Sequence, residues 1–396
     1  MNPDLDRLQP YPFERIRHLL ADVTPASLDR ISLSIGEPQH KAPEFALEAM
    51  HEARYEVGKY PLTRGSDELR QSIADWLQQR FALGHESISP ATQILPVNGT
   101  REALFAIAQC VLDRSETRKT ALAPNPFYQI YEGAILLAGL TPTFYNLRET
   151  NPELPDAADP VWRDVQMIYI CNPANPNGSV LSMATQQQLI SLAQEHNFVI
   201  VSDECYSEIY RDESNPPVGL LGAAAAMGNN TYQHCLVFHS LSKRSNLPGL
   251  RSGFVAGDAD LLSRFLLYRT YHGCSMAPPT QACSIAAWRD EEHVLANRQL
   301  YNKKYEQVVP ILSEVMNVET PAAGFYLWPD LQTDDEQFTR DMRQFQNIDV
   351  VPGSYLARSI EGINPGVNHS RLALVAPLEQ CVEAATRIRY YYQQLR

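Results

Sequence analysis

Lys243 lies in an unusual setting, within the stretch VFHSLSKRSNLPGLRSGF that spans residues 237–254. It follows the apolar run 235–238 and stands between two serines, ahead of a segment rich in arginine and glycine. An amine nucleophile must lose its proton, and burial beside cations lowers the pKa of a lysine. Arg244 and Arg251 are the nearby cations in the sequence. We therefore expect Lys243 to be an activated amine that reaches a bound cofactor, whereas an isolated loop lysine would carry no such role.

Other polar residues also follow short apolar runs, and their types suit distinct tasks. Asp203, in IVSDECY, ends such a run, so its carboxylate needs either a buried partner or a helix to cap. Gly99 and Thr100, in NGTREALF, open a helix-like segment whose free N–H groups favour an anion, although capped helices with nothing bound are common. Asn175 lies in NPANPNG, a run that by itself predicts a turn.

The elements that position these residues are short runs rich in Val and Ile, which alternate with helix-like segments. This pattern predicts an α/β fold in which helices sandwich a mostly parallel sheet. The predicted strands are 92–97, 120–123, 165–170, 198–202 and 235–238. Ligands of such sheets bind beyond the carboxyl ends of the strands, so we expect the five following loops to converge on one site.

The chain after about residue 283 has a different pattern, in which helical segments surround the short predicted strands 325–329, 348–353 and 370–375. We predict a large cofactor-binding domain over residues 46–282 and a smaller α+β domain over residues 283–396. The N-terminal segment, residues 1–45, is predicted to join the smaller domain. Each boundary is predicted from composition and periodicity alone.

Composition excludes several classes of protein. The net charge of −13 argues against a nucleic-acid binder, which normally presents a basic face. The apolar runs are too short to span a bilayer and the N-terminus lacks the apolar core of a secretion signal, so we expect a cytoplasmic protein. The seven cysteines form no C-x-x-C pair, which indicates reduced thiols and no metal site. Nucleotide-binding glycine motifs and H-E-x-x-H are also absent from the sequence.

The run SLSKRSNLPGLRSG, residues 240–253, resembles the lysine-attachment signature of class I and II aminotransferases, which are fold-type-I enzymes dependent on pyridoxal 5′-phosphate. Other motifs of that family follow in order over essentially the whole chain. The resemblance implies a Schiff base between Lys243 and the cofactor, and a later role for Lys243 in moving a proton between substrate and cofactor. It also implies a homodimer with shared active sites.

The same resemblance implies contacts to the cofactor ring. Asp203 would face the ring nitrogen and keep it protonated, while Tyr206 and Asn175 would hydrogen-bond the phenolic oxygen. Tyr128, in PNPFYQIY, would stack on the ring. Asn177 stands where the family usually has threonine, and we expect this departure to have little effect because it sits one turn position away from the key Asn175.

Phosphate and substrate contacts are implied in the same way. The implied phosphate cup consists of Gly99, Thr100, Ser240, Ser242, Arg251 and Tyr60 of the neighbouring subunit. A guanidinium suits a phosphate because it offers a planar fork of donors. Arg371, in NHSRLALV, would bind the substrate α-carboxylate, and Gly36, in LSIGEP, would lie on a loop that closes over the substrate.

Several longer segments, among them LPVNGTREALFA and LLYRTYHG, resemble family members that act on succinylated diaminopimelate in lysine biosynthesis. This implies amino transfer between L-glutamate and N-succinyl-2-amino-6-oxopimelate, with 2-oxoglutarate and succinylated diaminopimelate on the other side of the reaction. Both substrates carry additional carboxylates. Arg269 and His272 are our hypothesis for the additional cationic side chains, from this subunit or its partner, although purely structural roles fit them equally well.

Several alternatives stay open at this point. Aminotransferases of the acetylornithine or aspartate type share the same motifs, and the fold also supports lyases that use the same cofactor. An effector-binding module of a transcription regulator is disfavoured, because the resemblance begins almost at residue 1 and no basic domain precedes it. Incubation with L-glutamate separates a transaminase from a lyase, since only the former releases 2-oxoglutarate.

Overall fold

The structure of the chain, a computed structural model, describes residues 1–84, 87–147 and 154–395. Within these residues the strands are β1 (Ile31–Ser32), β2 (Ile94–Val97), β3 (Thr120–Asn125), β4 (Thr141–Asn146), β5 (Val165–Cys171), β6 (Val199–Asp203), β7 (Cys235–Ser240), β8 (Gly253–Gly257), β9 (Tyr326–Leu327), β10 (Ile348–Asp349), β11 (Val351–Pro352) and β12 (Ser370–Ala373).

The α-helices of the same residues are α1 (Pro12–Leu19), α2 (Glu44–Glu52), α3 (Asp67–Arg80), α4 (Thr100–Val111), α5 (Ile130–Leu137), α6 (Met183–His196), α7 (Leu220–Ala226), α8 (Leu241–Arg244), α9 (Ala259–His272), α10 (Pro278–Trp288), α11 (Glu292–Leu312), α12 (Asp335–Asp341) and α13 (Leu378–Leu395). Short 3-10 turns, such as Pro248–Leu250, connect several of them.

The central sheet has the strand order β2-β8-β7-β6-β5-β3-β4. β8 is antiparallel to both of its neighbours, whereas the pairs from β7 to β4 are all parallel. Every residue of β5, β6 and β7 is buried, which explains why these strands are continuous apolar runs rather than alternating ones. The predicted α/β fold with a mostly parallel sheet is confirmed.

Side chains that alternate along the central strands enter two separate apolar clusters. Ile168 and Ile200 pack with residues of α3, α6 and α10 on one face. Tyr169 and Val201 pack with residues of α4, α5 and α9 on the other face. Because helices cover both faces, the carboxyl ends of the parallel strands are the part of the sheet left to meet a ligand.

A third apolar cluster lies outside the central sheet. It joins Ile31 and Leu33 of the N-terminal segment to residues of α11, α12 and α13 and to buried residues of the short strands β9, β10 and β12. The parallel pair β1–β10 fixes the N-terminal segment against the C-terminal region. The boundaries predicted for the two domains stay a prediction.

Two further observations bear on function. No helix in the described part of the chain has the length and apolar character to cross a bilayer. Residues 1–84, 87–147 and 154–395 also contain no cluster of three or more His, Cys, Asp or Glu side chains able to hold a metal ion.

Candidate active site

A cavity of about 380 Å³ lies at the carboxyl ends of the parallel strands. The residues that follow or end five strands contribute to its lining: Thr100 after β2, Tyr128 after β3, Asn175 after β5, Asp203 at the end of β6 and Lys243 after β7. Gly36 and Arg371 reach the same cavity from outside the central sheet. The structure therefore brings together loops that the parallel-sheet pattern predicts to converge.

Lys243 is a half-buried side chain whose Nζ donates a hydrogen bond to the main-chain oxygen of Gly36. Its ammonium also lies 5.3 Å from the centre of the Phe325 ring. Burial lowers the pKa of Lys243 to about 8, because the charged form loses water. At pH 7 about a tenth of an amine with this pKa is neutral, and hence nucleophilic, which is far more than for an ordinary lysine.

The cations that act on Lys243 differ from those expected from the sequence. Arg371 and Arg101 add to the lowering of its pKa by charge repulsion. Arg244, the sequence neighbour, instead donates to the main-chain oxygen of Ala287 at 2.7 Å. The charge repulsion that Arg244 and Arg251 were expected to provide therefore comes from Arg371 on β12 and Arg101 on α4.

Asp203 is almost fully buried, with 4% of its surface exposed, and it lines the cavity. One carboxylate oxygen accepts from the Cys205 N–H at 3.2 Å, and the other accepts from the Tyr131 hydroxyl at 2.7 Å. Burial raises the pKa of Asp203, while these two hydrogen bonds lower it. Asp203 caps no helix, since the next helix begins at Leu220. The carboxylate is therefore available to a ligand in the cavity.

Arg371 has only 6% of its surface exposed. Its Nη2 donates to the main-chain oxygen of Ser34 at 2.8 Å, and its Nη1 donates to Asn175 Oδ1 at 3.3 Å. Its Nε has no hydrogen-bond partner among the described residues, and no carboxylate of those residues pairs with it. A buried cation without an anion is costly, so this arrangement favours an anionic ligand.

Two tyrosines connect this cation to Gly36. The Tyr206 and Tyr326 hydroxyls lie 3.1 Å apart, and the Arg371 guanidinium carbon lies 4.5 Å from the centre of the Tyr326 ring. A Cβ atom at Gly36 would lie 1.9 Å from the Tyr326 hydroxyl, so this position requires glycine. Tyr326 lies in the predicted strand 325–329 but was not predicted as a site residue, although its strand β9 pairs with the strand that carries Arg371.

The N-terminus of α4 lies at another wall of the cavity. Gly99 precedes this helix with a φ of +95° and gives no side-chain cap. A Cβ atom there would lie 2.1 Å from Arg251 Nη2, so glycine is required for the close approach of the guanidinium. Arg251 Nη2 also donates to Glu102 Oε2 at 2.8 Å. Unpaired N–H groups and a guanidinium at one place suit a phosphate.

Hydroxyl groups complete this wall. The Ser240 hydroxyl donates to Ser242 Oγ at 2.9 Å and accepts from the Ser242 N–H at 3.1 Å. Thr100 Oγ1 lies 3.1 Å from Cys205 Sγ. All three hydroxyl residues line the cavity, as Arg251 does.

Tyr128 and Arg101 form the remaining part of the lining. The Tyr128 ring packs edge-on against Tyr131, with ring centres 5.8 Å apart, and its hydroxyl accepts from Arg101 Nε. The Arg101 side chain is exposed at the cavity wall. Arg101 is a site residue that the sequence does not predict, although it directly follows Thr100 in the first turn of α4.

Three predicted residues lie away from this cavity. Tyr60 is fully exposed, with a relative exposure of 104%, so its contact to a neighbouring subunit stays a prediction. Arg269 is buried elsewhere and donates to Asn98 Oδ1 at 3.2 Å. His272 is an exposed residue at the end of α9. Within one subunit, neither Arg269 nor His272 provides the additional cation proposed for the substrates.

A family model described as "Aminotransferase class I and II" matches residues 29–388. The chain belongs to the class I and II aminotransferases. Enzymes of this family use pyridoxal 5′-phosphate, which is therefore the cofactor of this aminotransferase.

Comparison with individual proteins agrees with this assignment. An aminotransferase structure from Neisseria meningitidis is 47% identical, with a TM-score of 0.94 over 99% of this chain and 100% of that chain. A structure from Thermus thermophilus, described as a probable N-succinyldiaminopimelate aminotransferase, is 26% identical, with a TM-score of 0.81 over 96% and 99% of the two chains. An LL-diaminopimelate aminotransferase of Nitratidesulfovibrio vulgaris is 30% identical over 97% of both chains.

The residues at the cavity fit this cofactor. The uncapped start of α4 with Arg251 suits the phosphate, the Asp203 carboxylate suits a protonated ring nitrogen, and the Lys243 amine suits the aldehyde. When bound, pyridoxal 5′-phosphate supplies an electron sink that stabilises negative charge at the substrate Cα.

Proposed function

We propose that this aminotransferase moves the amino group of L-glutamate to N-succinyl-2-amino-6-oxopimelate, which yields 2-oxoglutarate and N-succinyl-LL-2,6-diaminopimelate. The observation that carries the proposal is the buried Arg371 guanidinium without an anionic partner in the described chain, since it suits a substrate carboxylate. The Thermus neighbour described as a probable N-succinyldiaminopimelate aminotransferase supports the choice of substrate. The reaction would belong to lysine biosynthesis.

A second candidate substrate is diaminopimelate without the succinyl group. It is favoured by the relatives described as LL-diaminopimelate aminotransferases, which are 27–30% identical to this chain over nearly its full length. Both candidates are amino acids that carry a second carboxylate far from the reacting amine. The two differ in whether a distal amine is free or acylated.

Within the site, Lys243 would move a proton at the substrate Cα. Lys243 lines the cavity and its amine donates to the Gly36 oxygen, and its pKa of about 8 suits both the release and the acceptance of a proton near neutral pH. Arg371 would orient the substrate by its α-carboxylate, so that the Cα proton faces this amine. Gly36, whose main-chain oxygen accepts from Lys243, would lie on a loop that closes over the bound substrate.

Ring contacts of the cofactor are proposed for four side chains. Asp203 would hold the ring nitrogen in its protonated form. Asn175 accepts from Arg371 through Oδ1, which leaves its amide N–H group to donate to the phenolic oxygen. Burial raises the pKa of Tyr206, so its hydroxyl stays protonated and can donate to the same oxygen. Tyr128 would stack on the ring.

Phosphate contacts are proposed for Gly99, Thr100, Ser240, Ser242, Arg251 and Tyr60 of the partner subunit. The exposed segment around Tyr60 also presents Tyr55, Val57 and Leu62, with relative exposures of 78%, 67% and 61%. An apolar surface of this kind indicates a protein contact, and we propose that a second copy of the chain covers it.

The shared site predicts an unusual mixing result. Tyr60→Ala subunits should bind the cofactor weakly, and Lys243→Ala subunits should be inactive. In a mixed dimer, one site would receive Lys243 from the first subunit and Tyr60 from the second. At low cofactor concentration, addition of the inactive Lys243→Ala subunit should therefore raise the activity of Tyr60→Ala protein. Tyr55→Ala is the matched control, because it removes a neighbouring exposed tyrosine. No gain on subunit exchange would contradict the shared site.

A cation for the distal carboxylate is also needed, and we propose Arg101 in place of Arg269. Arg101 lines the cavity and is exposed, and within the described residues only its Nε makes a hydrogen bond. Its Nη groups are thus available to a carboxylate, which a guanidinium binds with paired hydrogen bonds.

A panel of amino donors tests the proposed substrate. Succinylated diaminopimelate and L-glutamate should each convert the bound cofactor to its amino form, which the change in cofactor absorbance measures. N-acetylornithine and L-aspartate should react at least about tenfold more slowly. Equal rates with unacylated diaminopimelate would favour the second candidate. Failure of L-glutamate to yield 2-oxoglutarate would contradict both candidates.

The same panel includes Arg101→Gln as its matched variant. Loss of a charged hydrogen bond predicts a fall in kcat/KM of about 10- to 100-fold for donors with a distal carboxylate, and little change for L-alanine. Arg101→Lys should recover part of the activity, since it retains the charge. An equal loss for L-alanine would place Arg101 outside substrate selection.

A further inference from the structure

Tyr131 is a fully buried tyrosine on α5 that does not line the cavity. Its hydroxyl donates to Asp203 Oδ2 at 2.7 Å, across 72 residues of sequence. The other oxygen of the same carboxylate accepts from the Cys205 N–H at 3.2 Å. Tyr131 is thus a side chain outside the cavity lining that hydrogen-bonds a carboxylate within that lining.

Packing alone does not explain the hydroxyl of Tyr131. Its ring stacks on the Tyr169 ring, with centres 4.7 Å apart and planes inclined by 18°. Phenylalanine would fill the same space without placing a polar atom in the core. The Tyr169 hydroxyl, by contrast, donates to the main-chain oxygen of Leu104 at 2.6 Å and plays a local structural part.

The two hydrogen bonds determine what the Asp203 carboxylate can do. With one oxygen held by Tyr131 and the other by Cys205, rotation of the carboxylate plane is restricted. Donation by a hydroxyl favours the anionic form of a buried carboxyl, which burial disfavours. Burial also raises the pKa of Tyr131, so its phenol stays a donor.

We propose that Tyr131 is a positioning residue for the cofactor, because it holds Asp203 as an oriented anion that faces the ring nitrogen of pyridoxal 5′-phosphate. The proposal rests on the role proposed above for Asp203. Tyr131 acts on the cofactor only through that carboxylate. Loss of the Tyr131 hydroxyl should therefore weaken the binding of a ligand that has the ring nitrogen and leave the binding of a ligand that lacks it unchanged.

Binding of two cofactors to the cofactor-free protein tests this role without any measurement of activity. The first is pyridoxal 5′-phosphate, and the second is its deaza analogue, in which carbon replaces the ring nitrogen. Quenching of tryptophan fluorescence gives the Kd of each. Tyr131→Phe should weaken binding of pyridoxal 5′-phosphate by about 10- to 100-fold and leave the Kd of the analogue unchanged. The preference for the natural cofactor is then reduced by the same factor.

Three further variants interpret the result. Tyr169→Phe removes an equally buried hydroxyl from the stacked partner and should keep the wild-type preference. Asp203→Asn should lose the preference, and adding Tyr131→Phe to it should have no further effect, because both residues act through one carboxylate. Partial unfolding weakens the binding of both ligands by the same factor, so the ratio of the two Kd values does not depend on the fraction of unfolded protein.

Each outcome has a distinct meaning. The role of Tyr131 would be overturned if Tyr131→Phe kept the wild-type preference for pyridoxal 5′-phosphate over its deaza analogue. It would also be overturned if Tyr169→Phe lost as much of this preference as Tyr131→Phe. A wild-type preference in Asp203→Asn would instead remove the proposed contact between Asp203 and the ring nitrogen. The failure of this inference and the failure of the proposed function are therefore distinguishable.

Discussion

Lys243→Ala should lower kcat by at least about 100-fold, and by as much as about 10⁴-fold, since proton transfer by a positioned side chain contributes a factor of this size. The variant also lacks the amine to which the cofactor attaches. A single-turnover reaction with L-glutamate measures the effect directly, because it isolates proton transfer from product release. Cofactor that binds this variant should no longer be fixed to the protein by borohydride.

Lys304 is a natural control for this experiment. Lys304 is buried, whereas Lys243 is half-buried, and burial likewise lowers the pKa of Lys304 to about 8. Its Nζ, however, donates to the main-chain oxygens of Leu374 and Val375 at 3.0 and 3.2 Å, and it does not line the cavity. Borohydride followed by peptide mapping should therefore label Lys243 and leave Lys304 unmodified. A label on any other lysine would refute the assignment.

The pKa of Lys243 also predicts how capture of the cofactor depends on pH. Only the neutral amine attacks an aldehyde, so the rate at which cofactor-free protein captures pyridoxal 5′-phosphate should rise with pH and level off above about 8. Arg101→Gln removes one of the charges that lower this pKa, so the midpoint of the capture rate against pH should lie at higher pH in this variant. A rate that does not change with pH around this value would contradict an activated amine.

Most of the sheet could be predicted from the sequence, and the exceptions have physical reasons. The fully buried strands β5, β6 and β7 are apolar runs, which periodicity detects. β4 lies at the edge of the sheet and is half exposed, so its sequence TPTFYN lacks an apolar run. β8 is five residues long with glycine at both ends, a composition that is depleted in strands.

The active-site residues divide in a similar way. Residues at the ends of parallel strands could be predicted, because topology alone brings those loops together. Arg101 is an exposed arginine in the first turn of a helix, and nothing in its sequence neighbourhood separates it from a surface residue. Tyr131 lies three residues after Tyr128, a helical spacing that is typical of a core residue. Its partner Asp203 is 72 residues away in the sequence. Contacts between remote segments carry no local signal.

Arg371→Met should lower kcat/KM for L-glutamate by roughly 30- to 5,000-fold, since loss of one partner of a buried charge pair costs about 2–5 kcal/mol. The substrate carboxylate would enter a buried site without its cation. Arg371→Lys should have an intermediate effect, because an ammonium cannot form the planar fork of a guanidinium. The absorbance of bound cofactor should change little in either variant. A kcat/KM close to that of the wild type would exclude Arg371 from substrate binding.

Thermal stability separates this role from a structural one. Arg371 is a buried cation for which the described chain provides no anion, so an apolar side chain of similar volume should leave Tm unchanged or raise it in the absence of substrate. Arg298 is the matched control, since it is also buried but pairs with Glu213 at 2.6 Å. Arg298→Met should lower Tm. If Arg371→Met lowers Tm as much as Arg298→Met, the guanidinium stabilises the fold. If the Tm of Arg371→Met is unchanged or raised, the charge of Arg371 is retained for the ligand although it costs stability.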